Sequence, residues 1–304
     1  MKIETALAPA CVACGVAGAR RVRRIGEQDV LECSACGLHY ASPMSAANAE
    51  WYAGNADYSS MLGPDAAVVL RHVYHDRLAE DIDPIDWLGP NHLAFLARRP
   101  NAGGRLLDVG CGEGTFLASA SAAYDAYGVE LDPVAAERAR AHLPGRITTG
   151  TLDDLPADID AFDVITLFEV LEHVADPLGT LIECRRRLRP AGEIVISVPN
   201  RLRRGADDDP VDWPPNHLTR WTPTAMNALL KRAGLAARHL HATKTSRYGY
   251  WEAGWFLSSR FPVFGRSKTA RRLSSLLWVP LWPLYAMRRD TTYGLFVEAV
   301  SNSG

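Results

Sequence analysis

A chain of 304 residues with 47% hydrophobic composition has ample apolar material for a buried core and can hold one large domain or a core with appendages. Its net charge of −2 gives no global attraction for nucleic acid. No apolar stretch reaches the length that crosses a bilayer, and the opening Met1-Lys2-Ile3-Glu4-Thr5-Ala6 does not read as a secretory leader, so a cytoplasmic protein is expected.

Six cysteines in that compartment point to metal binding or free thiols before disulfides. Cys11-Val12-Ala13-Cys14-Gly15 and Cys33-Ser34-Ala35-Cys36-Gly37 are two knuckles separated by 18 residues, the spacing of a structural zinc site in which Cys11, Cys14, Cys33 and Cys36 close a tetrahedron. A zinc ribbon over residues 1–45 is expected, the alternatives being two disulfides or unrelated thiols. His39 reads as an ordinary strand or turn residue. In residues 1–50, Lys2, Arg20, Arg21, Arg23 and Arg24 meet Glu4, Glu27, Asp29, Glu32 and Glu50, so the arginine cluster reads as a solvated hairpin face rather than a nucleic-acid surface.

Residues 46–100 form an aromatic-rich linker and a helical stretch expected to sit as a lid. Tyr52 and Tyr58 either touch substrate or pack two domains together. Pro100-Asn101-Ala102-Gly103-Gly104 is a linker of turn formers, after which the core of residues 101–243 begins. Leu106-Leu107-Asp108-Val109-Gly110-Cys111-Gly112-Glu113-Gly114-Thr115 is an apolar run feeding a glycine-rich turn and then a helix, the first strand, loop and helix of a doubly wound α/β sheet. A dinucleotide site would spread its glycines as G-x-G-x-x-G and avoid acids beside the pyrophosphate. Here the spacing is Gly110-x-Gly112-x-Gly114, and Asp108 and Glu113 face no Lys or Arg within the segment, a local field suited to a cation such as S-adenosylmethionine. Glu130 closes a second strand 20 residues after Gly110, where such sites keep a carboxylate for ribose hydroxyls. Cys111 reads as small-residue packing.

Phe162-Asp163-Val164-Ile165-Thr166-Leu167 fits a buried fourth strand whose carboxyl end opens into Phe168-Glu169-Val170-Leu171-Glu172-His173. These strings, LLDVGCGEGTFL, GVELD and FDVITLFEVLEHVADP, resemble the motifs of class I S-adenosylmethionine-dependent methyltransferases, and within them the branch containing ubiquinone-biosynthesis O-methyltransferases. The resemblance covers residues 106–200. It implies S-adenosylmethionine contacts at Asp108, Gly110, Gly112, Glu130, Leu131, Leu152, Asp153 and Phe168, with Asp153 and Leu152 at the adenine. If residues 169–173 are helical, Glu169 and His173 share one face at i, i+4 and suit a divalent ion or a proton relay; the alternative is that they cap and orient the loop.

A helix is expected from Pro177 to Leu188, a turn at Arg189-Pro190-Ala191-Gly192, and a fifth strand at Glu193-Ile194-Val195-Ile196-Ser197-Val198-Pro199-Asn200. The charge blocks Arg201-Leu202-Arg203-Arg204 and Asp207-Asp208-Asp209 suggest a solvated loop over the site, with Arg203 and Arg204 available to an anionic acceptor. In Trp213-Pro214-Pro215-Asn216-His217-Leu218-Thr219-Arg220-Trp221-Thr222-Pro223, Thr222 and Pro223 start a helix that Gly234 ends. Related zinc-ribbon methyltransferases carry a similar Pro-Pro-x-His run, which makes His217 the first candidate for a general base, beside a structural alternative in which it bonds backbone. Residues 236–243 and 295–300 read as the last strands. The 244–304 segment between and around them is rich in tryptophan, and its apolar stretch 276–287, flanked by arginines, resembles a peripheral membrane contact, against a cover on the core or a homodimer interface.

The expectation is an α/β, doubly wound (Rossmann-like) seven-stranded methyltransferase core with a small N-terminal zinc ribbon. It would use S-adenosylmethionine and structural Zn2+ to methylate a small-molecule, sugar or lipid-linked acceptor, at the inner membrane face if the 276–287 contact forms. An RNA methyltransferase and a non-enzymatic scaffold are the alternatives.

Overall fold

The computed structural model describes residues 9–45, 92, 95–96, 98–99, 103–156, 159–203, 205–209, 212–244 and 292–302. The 46–100 lid with Tyr52 and Tyr58, Arg204, and the tryptophan-rich stretch with 276–287 lie outside these residues, apart from the helical positions 92, 95, 96 and 98 and from Arg99.

Two sheets organise the chain. The ribbon supplies β1 (Arg20–Ile25), β2 (Gln28–Glu32) and β3 (His39–Ser42). The core supplies β4 (Arg105–Val109), β5 (Asp125–Glu130), β6 (Ile147–Thr149), β7 (Phe162–Phe168) and β8 (Leu188–Pro199), then β9 (Thr219–Arg220), β10 (Leu235–Lys244) and β11 (Thr292–Ser301). The seven-stranded order is β10-β11-β8-β7-β4-β5-β6. β6 to β8 run parallel through the middle, while β11 enters antiparallel between β8 and β10. The order reverses at β4, which pairs with both β5 and β7, so the ligand crevice lies beyond the carboxyl ends of β4 and β7.

The central strands read as continuous apolar runs because both of their faces are covered. Leu106, Leu107, Ile165, Leu167, Ile194, Ile196 and Val198 are all fully buried. Among the described residues from 103 on, four helices attach to the sheet: α1 (Thr115–Ala120), α2 (Pro133–His142), α3 (Pro177–Arg186) and α4 (Pro223–Arg232). Three of them begin with a capping side chain followed by proline. Asp132 accepts from Val134 N–H, Asp176 from Gly179 N–H and Thr222 from Ala225 N–H. The turn expected at residues 189–192 is instead an irregularity inside β8. Leu188 pairs with Phe162 and Glu193 with Val164, and Ala191 sits at φ 66°.

The ribbon is not a bead on a string. Its sheet runs β1-β2-β3-β9, so its fourth strand comes from residues 219–220 of the core. The core also grips the knuckles by their carbonyls. Arg232 donates to Val12 O and Ala13 O at 2.9 and 3.1 Å, Thr222 to Cys36 O at 2.8 Å and Arg201 to Gly37 O at 3.1 Å. Leu31, Leu38 and Tyr40 belong to the same buried cluster as Ile196, Trp221 and Leu229. Among the described residues no helix is long and apolar enough to cross a membrane.

Candidate functional site

The glycine turn after β4 is bare backbone in a conformation that side chains rarely adopt. Gly110, Gly112 and Gly114 have φ of 70°, 54° and 79°. A Cβ on Gly110 would strike Val170 at 2.7 Å and one on Gly114 would meet Ala139 at 3.0 Å, whereas Gly112 faces open space. The turn is therefore packed from behind and clear in front, as a cofactor cradle requires. Gly112 N–H and Asp132 N–H donate to the two carboxylate oxygens of Glu130 at 2.8 and 2.9 Å, which fixes that side chain at the mouth of the turn with lone pairs to spare.

Asp108 lies beneath, buried, accepting from the Thr166 hydroxyl at 2.6 Å. Burial pushes its carboxyl up to about 7, and burial raises Glu130 as well despite its two amide donors. Neither acid has an ion pair among the described residues, while Glu113 is paired with Arg138. The electrostatic demand for a cation thus comes from Asp108 and Glu130, and Glu113 contributes less than the sequence suggests. Phe168, at the end of β7, packs edge-on to Phe116 with centroids 5.0 Å apart, and Leu152 is buried where the chain leaves β6. Leu131 is half-buried beside Glu130, and Asp153 is exposed in the 3-10 turn Leu152–Asp154. Cys111 is buried, consistent with packing.

Beyond β7 a second cluster forms. Residues 169–173 make a turn, not a helix, so the expected i, i+4 face of Glu169 and His173 gives way to a different grouping. Glu169, at φ 58°, accepts from Ser197 Oγ at 2.7 Å. It is Glu172, His173 and His217 whose ligand atoms lie within 4.8 Å of one another. The two imidazoles meet edge-on, 4.8 Å between centroids. His173 Nδ1 donates to Asn216 O at 2.8 Å, and His217 Nδ1 faces Asp212 Oδ1 at 3.3 Å, so each ring is anchored through Nδ1 and leaves Nε2 uncommitted to that anchor.

Neither carboxylate oxygen of buried Glu172 has a hydrogen-bond partner among the described residues, and burial together with the Glu169 carboxylate drives its pKa well above the ordinary value. Burial and the neighbouring His217 push His173 down to about 3, so its ring is neutral. Two imidazoles each anchored through Nδ1, beside a carboxylate without a hydrogen-bond partner among the described residues, fit a divalent cation.

The thiols of the ribbon are equally suggestive. Cys11 and Cys36 sulfurs lie 3.6 Å apart and those of Cys14 and Cys33 3.5 Å, all four within 4.8 Å. These are far from bonded distances, and Zn–S bonds of ~2.3 Å put tetrahedral sulfurs roughly 3.8 Å apart. Burial pushes the Cys11 thiol up to about 11, while at Cys33 burial is outweighed by hydrogen bonds from the Cys36 and Ala35 backbone N–H groups, which bring it down. The set is compatible with structural zinc.

Arg203 corrects the expectation of a solvated loop. It is buried, donating to Asp212 at 2.8 Å and to Asp209 at 2.9 Å, while Asp207 is taken by Arg220. The opposite charge blocks fold onto each other because each supplies the other's counter-charge within a few residues. Asp212, Arg220, Asn216 and Ser197 are site residues that sequence reasoning passed over. Asp212, one turn before His217 and flanked by prolines, was the findable one.

Comparison with known proteins follows the same lines. Residues 61–240 match the family model of a methyltransferase domain. The ubiquinone biosynthesis O-methyltransferase of Thiobacillus denitrificans is 37% identical over 141 residues, 43% of this chain and 60% of that protein. Its namesake from Cereibacter sphaeroides is 36% identical over 153 residues, 45% of this chain and 62% of that one. The chain thus spans about three-fifths of the length of these curated relatives. Among solved structures, phospholethanolamine N-methyltransferase 2 of Haemonchus contortus, in complex with phosphomonomethylethanolamine and S-adenosylhomocysteine, superposes with a TM-score of 0.51 at 15% identity, over 93% of this chain and 71% of that one. A complex of a putative methyltransferase with the Trm112 activator from Haloferax volcanii gives 0.50 at 22% identity, over 78% and 97%. These likenesses show the fold.

Proposed function

Because this chain belongs to the methyltransferase-domain family, we propose that it moves the methyl group of S-adenosylmethionine onto a hydroxyl of a small-molecule, sugar or lipid-linked acceptor. The observation that carries the cofactor is the left-handed glycine turn with Glu130 locked to Gly112 N–H, where buried Asp108 and half-buried Glu130 have no ion-pair partner among the described residues. A sulfonium and an ammonium supply the counter-charge, whereas a dinucleotide pyrophosphate would be repelled. Asp108, Gly110, Gly112, Glu130, Leu131, Leu152, Asp153 and Phe168 form the proposed cofactor surface.

An oxygen acceptor is favoured by what stands beside it. A hydroxyl is a poor nucleophile until its proton leaves, and His217, with Nδ1 turned to Asp212, offers Nε2 as the base. Displacement at the methyl is in line, so the enzyme contributes alignment and exclusion of water, and His173 and Glu169 shape the acceptor side. The curated relatives, named for O-methylation, support the same class. On the ribbon, Arg20 pairs with Glu32 and Arg21 and Arg24 with Asp29, which speaks against a phosphate-binding face and hence against the RNA reading.

A second reading of the acceptor side rests on the unpartnered Glu172 carboxylate. Glu172, His173 and His217 would hold a divalent cation, which would lower the pKa of an acceptor hydroxyl. Calorimetric titration with S-adenosylmethionine and its demethylated product, in parallel with NADH, tests the cofactor; binding of NADH alone would sink the proposal. Methyl transfer to a hydroxyl panel by protein whose four-cysteine group is kept zinc-loaded, with and without added Mn2+, separates the two acceptor readings. His217→Ala abolishes transfer under both, and only the second predicts dependence on the added metal.

A further inference from the structure

The ribbon and the acceptor cluster meet at one residue. Arg220 pairs in β9 with His39 of β3, and its side chain is buried at their junction. Its guanidinium donates to His39 Nδ1 at 3.1 Å on the ribbon, to Ala206 O at 2.7 Å and Asp207 at 2.9 Å on the preceding loop, and reaches Asp212 Oδ2 at 3.5 Å. It also lies flat over Trp213, 3.8 Å from the ring centroid, while Arg23 of the ribbon covers Trp213 at 4.4 Å. Trp213 O in turn accepts from the backbone N–H groups of Asn216 and His217. Asp212, whose Oδ2 accepts from Arg203 at 2.8 Å and lies 3.5 Å from Arg220 Nε, presents Oδ1 to His217 Nδ1.

Each link carries a constraint to the next. His39 and Trp213 hold Arg220 in place, and Arg203 by hydrogen bond and Arg220 by a 3.5 Å ion pair both act on Asp212 Oδ2, which leaves Oδ1 to His217. A fixed Asp212 carboxylate accepts only from a protonated Nδ1, so of the two neutral tautomers of His217 it selects the one with its lone pair on Nε2. Both acceptor-side readings need that tautomer, whether Nε2 takes a proton or binds a cation.

We propose that the zinc ribbon is part of the methyl-transfer centre, with Arg220 and Asp212 acting as positioning residues that carry its fold to His217 and hold the imidazole as the Nδ1–H tautomer. The inference rests on the methyltransferase reading for its purpose but not for its test. In histidine-15N-labelled full-length protein loaded with zinc, long-range 1H–15N correlation should show His217 with Nδ1 protonated and Nε2 bare. Asp212→Asn, nearly isosteric, can donate its amide to Nδ1 and should shift His217 toward the Nε2–H form. Arg220→Met should average the two resonances, Arg220→Lys should restore part of the preference, and stripping zinc with a chelator should reproduce the Arg220→Met spectrum. S-adenosylmethionine affinity, measured on the same samples, should change less than twofold, which also reports that the core is folded. An unchanged His217 tautomer in Asp212→Asn, or in both Arg220→Met and zinc-stripped protein, overturns the inference. Failure of wild-type protein to bind S-adenosylmethionine would instead sink the methyltransferase reading, with the tautomer result still deciding the brace.

Discussion

The two ends of the crevice are built in opposite ways. The cofactor end is local: 23 consecutive residues, from Asp108 to Glu130, supply the glycine turn, the carboxylate and the amide that orients it. The acceptor end is assembled from afar. Glu172 and His173 follow β7, Asp212 and His217 sit some forty residues on, and His39 and Arg23 arrive from the ribbon. A local device made of backbone fails only when its own residues change, whereas a site held by a relay of side chains fails wherever the relay is cut.

The sharpest way to separate the ends is to strip the zinc that the four-cysteine group is suited to hold. Structural zinc is worth roughly 10–16 kcal/mol to small thiolate sites, so chelation should unfold the knuckles and withdraw β3 from β9. The expected outcome is loss of methyl transfer with calorimetric S-adenosylmethionine binding retained; loss of both would show that the two ends are one cooperative unit. Glu130→Ala is the reciprocal cut. It removes a carboxylate fixed by two amides and should weaken S-adenosylmethionine by about 2 kcal/mol, roughly thirtyfold, while leaving the His217 spectrum untouched.

A smaller effect comes from Asp108. Its folded pKa is about 7, raised by burial, so below that pH the cationic cofactor must expel a proton to bind. Affinity should rise with pH and level off above about 7, by up to tenfold per unit on the acid side. The sign for the cofactor-free fold is opposite: the protonated carboxyl is the better buried form, so its contribution is present in acid and is lost as pH rises through about 7. Calorimetry of Asp108→Asn, which keeps a partner for Thr166, should show a flatter pH profile. Smallest of all, Arg20→Ala removes an exposed pair with Glu32 and should leave thermal stability within about 0.5 kcal/mol, because the ribbon is held by its knuckles and by β9 rather than by its outer charges.

Legibility followed the same division. The apolar runs at 106–109, 162–167, 193–199, 236–243 and 295–300 all lie in strands of the core, and Thr222 caps the helix that Pro223 opens. The four cysteines converge as their spacing requires. Where the reading failed, it had treated neighbours in sequence as neighbours in space. Glu169 and His173 look like one helical face, yet the positive φ of Glu169 turns the chain and delivers its carboxylate to Ser197. Arg203 looks solvated among charges, yet Asp209 and Asp212 fold back and bury it.

The sequence by itself determined the sheet, the glycine cradle, Glu130 and the thiol cluster, because periodicity, special backbone angles and ligand spacing act over a few residues and leave local signatures. Only the tertiary structure decided that Glu172 rather than Glu169 joins the histidines, that Asp212 orients His217, and that the ribbon's fourth strand belongs to the core. Those are contacts between segments forty to nearly two hundred residues apart, whose geometry depends on how β7, the 201–222 segment and the ribbon pack together, and no local pattern records that.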